Sequence, residues 1–158
     1  MFSYKLLFFL PLISTIFTYP FGVLLGDKTA QYFSSTLISI AAILSWFLFI
    51  SFSMSPSPEI IIPVLEWFFV SGQFFNCGIS VKSLTLLMLT LVLTVSALVH
   101  IYSIEYMAHD NSKVRFMTYL SLFTFCMVAL VVSDNLIQLF FGWEGVGLAS
   151  YLLIGFWH

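Results

Sequence analysis

The sequence predicts an all-α polytopic membrane protein: five transmembrane helices and one longer connection with β-hairpin character. Three observations carry this. Of the 158 residues, 61% are hydrophobic and only 8% are charged, against about a quarter charged in an ordinary soluble domain. Five apolar stretches, at 4–25, 32–54, 83–107, 114–133 and 135–157, reach the roughly 20 residues that a helix needs to cross hydrocarbon. Inside hydrocarbon the backbone amides of such a stretch are satisfied only within a helix.

The first span carries Lys5 and then a long apolar run. That pattern superficially resembles a signal peptide, but further spans follow it, so a retained first helix is the better reading. Pro11 and Pro20 are expected to kink it. "GDKTAQ" (26–31) is expected to separate the first two spans. "MAHDNSKVR" (107–115) separates the third and fourth, and "SDN" (133–135) leaves a tight turn before the fifth. The long connection, 55–82, opens with "SPSP" and continues with two β-rich runs around Gly72 and Gly78, which predict a small hairpin-like element at the membrane surface. No repeat or low-complexity segment interrupts 1–158, which reads as a single transmembrane domain.

Charge sets the orientation weakly. Lys5 and Lys82 fall on the side of the N-terminus, and Lys28, Lys113 and Arg115 on the other. The positive-inside rule therefore puts the 107–115 loop on the cytoplasmic or matrix side. A net charge of −2 with five basic residues offers no phosphate-binding patch for nucleic acid. Cys77 and Cys126 have no C-x-x-C spacing, so they read as free thiols and not as a zinc or iron–sulfur site.

The chemistry concentrates in "DNLIQLFFGWEGVGLASYLLIGFW", residues 134–157. Residues 136–157 would make about 33 Å of helix, and Glu144, the ninth position, falls within a turn of its middle. A charge there costs on the order of 3 kcal/mol, so such a residue marks a functional site by default. The alternative is a protonated Glu acting as polar glue to a neighbouring helix. Gly142, Gly145 and Gly147 around it permit close helix contact, local unwinding or water access. Phe140, Glu144, Gly147, Leu148 and Tyr151 share a face at helical spacing. Tyr151 is either a water-holding hydroxyl near Glu144 or a packing tyrosine.

A second ionisable group, His100, lies late in the third span, on one face with Ser96, Ser103 and Met107. Histidine titrates near neutrality and relays protons, and it also serves as a hydrogen-bonded core residue; both readings stay open. All five Lys and Arg lie in loops or at the ends of spans, none in a span's interior. An intramembrane partner for Glu144 would have to come from another polypeptide. The residues read as a five-helix piece of a proton-handling membrane assembly that lacks its counter-charge.

The 134–157 stretch closely resembles the fifth helix of subunit 5 of respiratory complex I, the proton-translocating NADH–quinone oxidoreductase. "SLTLLMLTLVLTVSALVHIYSIEYM" (83–107) resembles that subunit's third helix, including the His-x-Tyr-Ser element at His100, Tyr102 and Ser103. The similarity covers 83–157 well and 1–82 mainly in layout. One departure is Lys82, which stands where the family usually has an aspartate before its third helix.

The resemblance implies the first part of an antiporter-like helix bundle. Glu144 matches the family's mid-membrane glutamate, which works with a lysine on a later helix, and His100, Ser96, Ser103 and Tyr151 become candidates for the proton path. The family protein is several times longer, so the chain is expected to be a split-gene product or a shortened fragment. Its expected partners are other membrane-arm subunits of complex I and a second chain carrying the remaining helices and a mid-membrane lysine. No cofactor is expected in this chain; NADH, FMN, iron–sulfur clusters and quinone would be handled by other subunits. The high phenylalanine content hints at an organellar genome and so at the mitochondrial inner membrane, with the bacterial plasma membrane as the alternative. Two rival readings are a subunit of a multisubunit cation/proton antiporter and a scaffold fragment with a silent Glu.

Overall fold

The structure, a computed structural model, describes residues 2–54, 59–70 and 73–157. The described residues form five long helices, α1 (Phe2–Leu25), α2 (Asp27–Met54), α3 (Ser83–Tyr106), α4 (Lys113–Val131) and α5 (Leu136–Ile154), and one antiparallel hairpin, β1 (Ile60–Val70) with β2 (Gln73–Val81). A 3-10 turn, Gly155–Trp157, closes α5. All five helices are long and apolar enough to cross a membrane, by length and composition. The expected hairpin is present; its expected opening at 55–58 and its turn at Gly72 lie outside the described residues.

One expected joint is corrected. The "GDKTAQ" segment is not a loop: α2 begins at Asp27, and only Gly26 interrupts the helical run, at φ 96°. That left-handed conformation is open to glycine without a Cβ penalty. The polar residues after it contain no helix breaker, and Asp27 in the first turn complements the positive end of the helix dipole. Their polarity marks the membrane surface and not the end of a helix. Pro11 and Pro20 both lie inside one continuous α1, where the Thr15 hydroxyl donates to the Pro11 carbonyl at 2.9 Å.

Lipid removes the hydrophobic drive between helices, so interfaces form where small side chains let backbones approach. Accordingly Ser14, Ala30, Ser34, Ala41, Ser45 and Ser121 are buried, while Ile43, Phe47, Val95 and Leu98 are exposed. α4 stands at the centre, packed on α1, α2, α3 and α5. α5 rests on α4 and has no comparable contact with α1, α2 or α3. Gly142 makes this close seat possible: a Cβ there would come 2.7 Å from the Leu130 Cα.

The hairpin is tied to the turn between α4 and α5. The Ser80 amide donates to the Val132 carbonyl at 2.9 Å, and Ile79 bridges Ser133. The Asn135 side-chain amide donates to the Asn76 carbonyl at 2.8 Å, and its carbonyl oxygen caps α5 by accepting from the Gln138 amide at 2.8 Å. Lys82 pairs with Glu59 at 2.7 Å. At the opposite end Lys113 lies 3.7 Å from Asp27. The N-terminus and the hairpin therefore share one end of the bundle, and the 107–112 turn marks the other.

Candidate functional site

Two polar groups stand out within the helices, and α4 lies between them. The first surrounds His100. Its imidazole is 0% exposed. Nδ1 lies 2.8 Å from the Ser96 carbonyl oxygen. A carbonyl only accepts, so Nδ1 carries the proton in the neutral ring and Nε2 accepts. Nε2 meets the Ser121 hydroxyl at 3.2 Å. That hydroxyl lies 2.8 Å from Ser34 Oγ and 2.9 Å from Ser14 Oγ, and Ser14 Oγ donates to Ser34 Oγ at 3.1 Å.

Each hydroxyl has one proton to give. The consistent direction therefore runs from Ser14 to Ser34, to Ser121, to His100 Nε2, and from Nδ1 to the Ser96 carbonyl. This chain draws one group from each of α1, α2, α3 and α4. Ser96 adds a branch, with its hydroxyl 3.3 Å from Nδ1 and 2.5 Å from Thr124 Oγ1. Ser103, the other serine expected on this face, is buried and donates to the Val99 carbonyl of its own helix at 2.7 Å.

The second group centres on Glu144. It is exposed on α5, between Phe140 and Leu148, which are exposed as well. Among the described residues it has no hydrogen-bond or ion-pair partner. Of the three nearby glycines, Gly142 and Gly145 face α4, where a Cβ on Gly145 would come 2.7 Å from Cys126 Sγ, and Gly147 faces open space. α5 is unbroken through all three, so Gly142 and Gly145 serve close contact and none of the three marks local unwinding. Tyr151 is 75% exposed on the same side. It borders a depression with Arg115 and Tyr119, whose hydroxyl accepts from Arg115 Nε at 2.9 Å.

The structure does not bring His100 and Glu144 together. His100 faces the interior of α1, α2 and α4, whereas Glu144 points outward from α5. Counted from the hairpin end, where α3 and α5 both start, the two levels differ by about 13 Å at 1.5 Å per residue. Ser14, Ser34, Ser121 and Thr124 were not singled out by sequence. Each alone reads as a small packing residue, and only the convergence of four helices gives them a common partner.

This arrangement defines a class, a polytopic helical membrane protein with one buried polar chain and one carboxylate exposed on an apolar helix face. Comparison with known proteins narrows it. Residues 67–117 match the family model for the N-terminus of chain 5 of NADH-ubiquinone oxidoreductase (complex I). The NADH-ubiquinone oxidoreductase chain 5 of Arabidopsis thaliana is 44% identical over 156 residues, 98% of this chain and 23% of that protein. The NADH-quinone oxidoreductase subunit L of Rhodobacter capsulatus is 47% identical over 142 residues, 85% of this chain and 20% of that protein. Over nearly all of its length the chain is thus similar to chain 5 and subunit L proteins of NADH–quinone oxidoreductase. It spans less than a quarter of the length of these relatives. A family with eukaryotic and bacterial members accords with the expected multi-pass placement, in the mitochondrial inner membrane or the bacterial plasma membrane.

Proposed function

We propose that the chain forms the N-terminal helices of a proton-translocating subunit in the membrane arm of NADH–quinone oxidoreductase, in the mitochondrial inner membrane. Glu144 is its relay carboxylate. The observation that carries this reading is the place of Glu144, mid-helix on an apolar face, exposed and without a partner among the described residues. A lone carboxylate in hydrocarbon neutralises itself. It holds an exchangeable proton usefully when a mobile cation approaches and withdraws. That cation is a lysine on a further helix lying against the exposed face of α5, on a second chain or elsewhere in the assembly.

Electron transfer takes place in other subunits, which hold NADH, FMN, the iron–sulfur clusters and the quinone; this chain carries no cofactor. Charge shifts along the membrane arm then make and break the ion pair at Glu144 and move its proton affinity. Carrying one charge across 100 mV requires about 2.3 kcal/mol, a scale that an ion pair in a low-dielectric site supplies. His100, Ser96 and Tyr151 are further members of the path. Ser103, turned back on its own helix, has the weakest claim.

Replacing Glu144 by Gln in the assembled complex tests the reading. Assembly persists and proton pumping falls with redox turnover. If pumping per electron is unchanged, Glu144 is silent and the helices act as a scaffold.

A further inference from the structure

At the end of the bundle that carries the 107–112 turn, a pocket of about 180 Å³ opens between α2, α3 and α4. Lys28, Glu105 and Lys113 give it a charged rim, and Gln31 lines it. Gln31 is only 3% exposed, and its Nε2 is buried with no hydrogen-bond partner among the described residues. A buried amide left unpaired is destabilising by about 1–3 kcal/mol. Water is the usual remedy where a site is polar and large enough, and this volume exceeds that of one water several times.

Gln31 is also the outermost buried member of a polar face on α2. Ser34 and Ser35 follow at three and four residues, the spacing that sets side chains beside one another. Ser34 opens onto Ser121 at 2.8 Å and through it onto His100. Ser35 donates to the His100 carbonyl at 3.4 Å. Beyond them toward the hairpin the interior turns apolar, with Ile38, Ala41 and Leu93 each 0% exposed. Polar groups thus run from the pocket to His100 and one turn beyond it to Ser96 and Thr124, and the buried Ser45 and Thr90 lie deeper, past Ile38, Ala41 and Leu93.

We propose that this pocket is the mouth of a water inlet, open only at the 107–112 end, which passes the Gln31 amide and ends at the Ser34–Ser121–His100 chain. It rests on the packing of α1 to α4 and not on the role of Glu144. Water held at Gln31 pairs the orphaned amide and meets the hydroxyls one turn deeper. His100 is thereby given exchange with one aqueous face and not the other.

Side-specific thiol labelling in the native membrane assembly tests this. With Cys77 and Cys126 replaced by Ser and Ala, single variants Gln31→Cys, Ile38→Cys and Asn111→Cys are exposed to a small, membrane-impermeant methanethiosulfonate cation. Asn111→Cys, on the exposed turn, reports reagent access. The inlet requires Gln31→Cys to react from the 107–112 side alone, and Ile38→Cys to resist from both sides. A Gln31→Cys that stays unlabelled while Asn111→Cys reacts overturns the proposal, as does equal labelling of Ile38→Cys. Should the cysteine variants fail to assemble, a high-resolution map of the unsubstituted assembly decides: ordered water bonded to the Gln31 amide supports the inlet, and a dry pocket or one filled by a lipid chain refutes it. A Glu144→Gln variant that pumps normally would leave either result standing.

Discussion

The side chain of Gln138 grips the backbone of Gly78 from both sides: its oxygen accepts from the Gly78 amide at 3.1 Å, and its nitrogen donates to the Gly78 carbonyl at 3.0 Å. Gln138 lies in the first turn of α5, less than two turns before Glu144. The hairpin therefore fixes the end of the helix that bears the carboxylate, and this grip is buried.

Gln138→Leu keeps the bulk and removes both bonds, leaving Gly78 with an unpaired donor and acceptor. Each unpaired buried group is destabilising by about 1–3 kcal/mol. The expected result is a lower melting temperature and faster proteolysis of the hairpin. A hairpin as resistant as that of the parent would mean that the contacts of Asn135 and Ser80 hold it unaided.

The glycines of α5 should respond in opposite directions. A side chain at Gly142 meets the backbone of Leu130, which cannot swing aside, so Gly142→Val should be destabilising by roughly 1–3 kcal/mol and loosen α5 from α4. Gly147 has open space, and Gly147→Ala should be neutral or add up to about 1 kcal/mol through helix propensity. Thermal denaturation of the two variants side by side checks the pair. Equal losses would contradict the packing described for α5.

Ser121 is the shared partner of Ser14, Ser34 and His100. Ser121→Ala unpairs His100 Nε2 and leaves the Ser34 hydroxyl without an acceptor, while Ser14 still donates to Ser34, with an expected loss of about 1–3 kcal/mol. Alanine substitution of Ser103, which bonds only within α3, should lose less. Denaturation midpoints that rank the two the other way would show that the hydroxyl chain is not a stabilising unit.

The arrangement of ends predicts opposite-side labelling at Glu59→Cys and Asn111→Cys, both at exposed positions. The native thiol nearest the first, Cys77, is half-buried, and burial pushes it up, which slows its own reaction. Reaction of both introduced thiols from one side would break the alternation of the five helices.

What sequence revealed and what it hid follow one physical line. A membrane span is a local property, a count of apolar residues, so all five spans and the hairpin between the second and third were legible. The 26–31 joint is shorter than its polarity suggests, because only Gly26 has the backbone freedom to make a break. His100 was legible as an ionisable group in an apolar helix. Its partners were not, because Ser14, Ser34 and Ser121 lie on three other helices and look like packing residues until those helices meet. Gln31 was hidden for the same reason, since an orphaned amide is a property of surroundings and not of residue type. The setting of Glu144 depends on what lies against α5.

The single-residue link at Gly26 has a consequence for how the protein meets membranes of different thickness. A lone span answers a thinner bilayer by tilting on its own. Here the last turn of α1 and the first turn of α2 are joined with no slack, and Gly22 and Asp27 on either side of the link both touch the start of α4, through Val114 and Lys113. Neither helix has a tilt of its own. A change of lipid that leans one must lean all three together, so the strain of a mismatched bilayer is felt at the rim of the Gln31 pocket, where Lys113 stands.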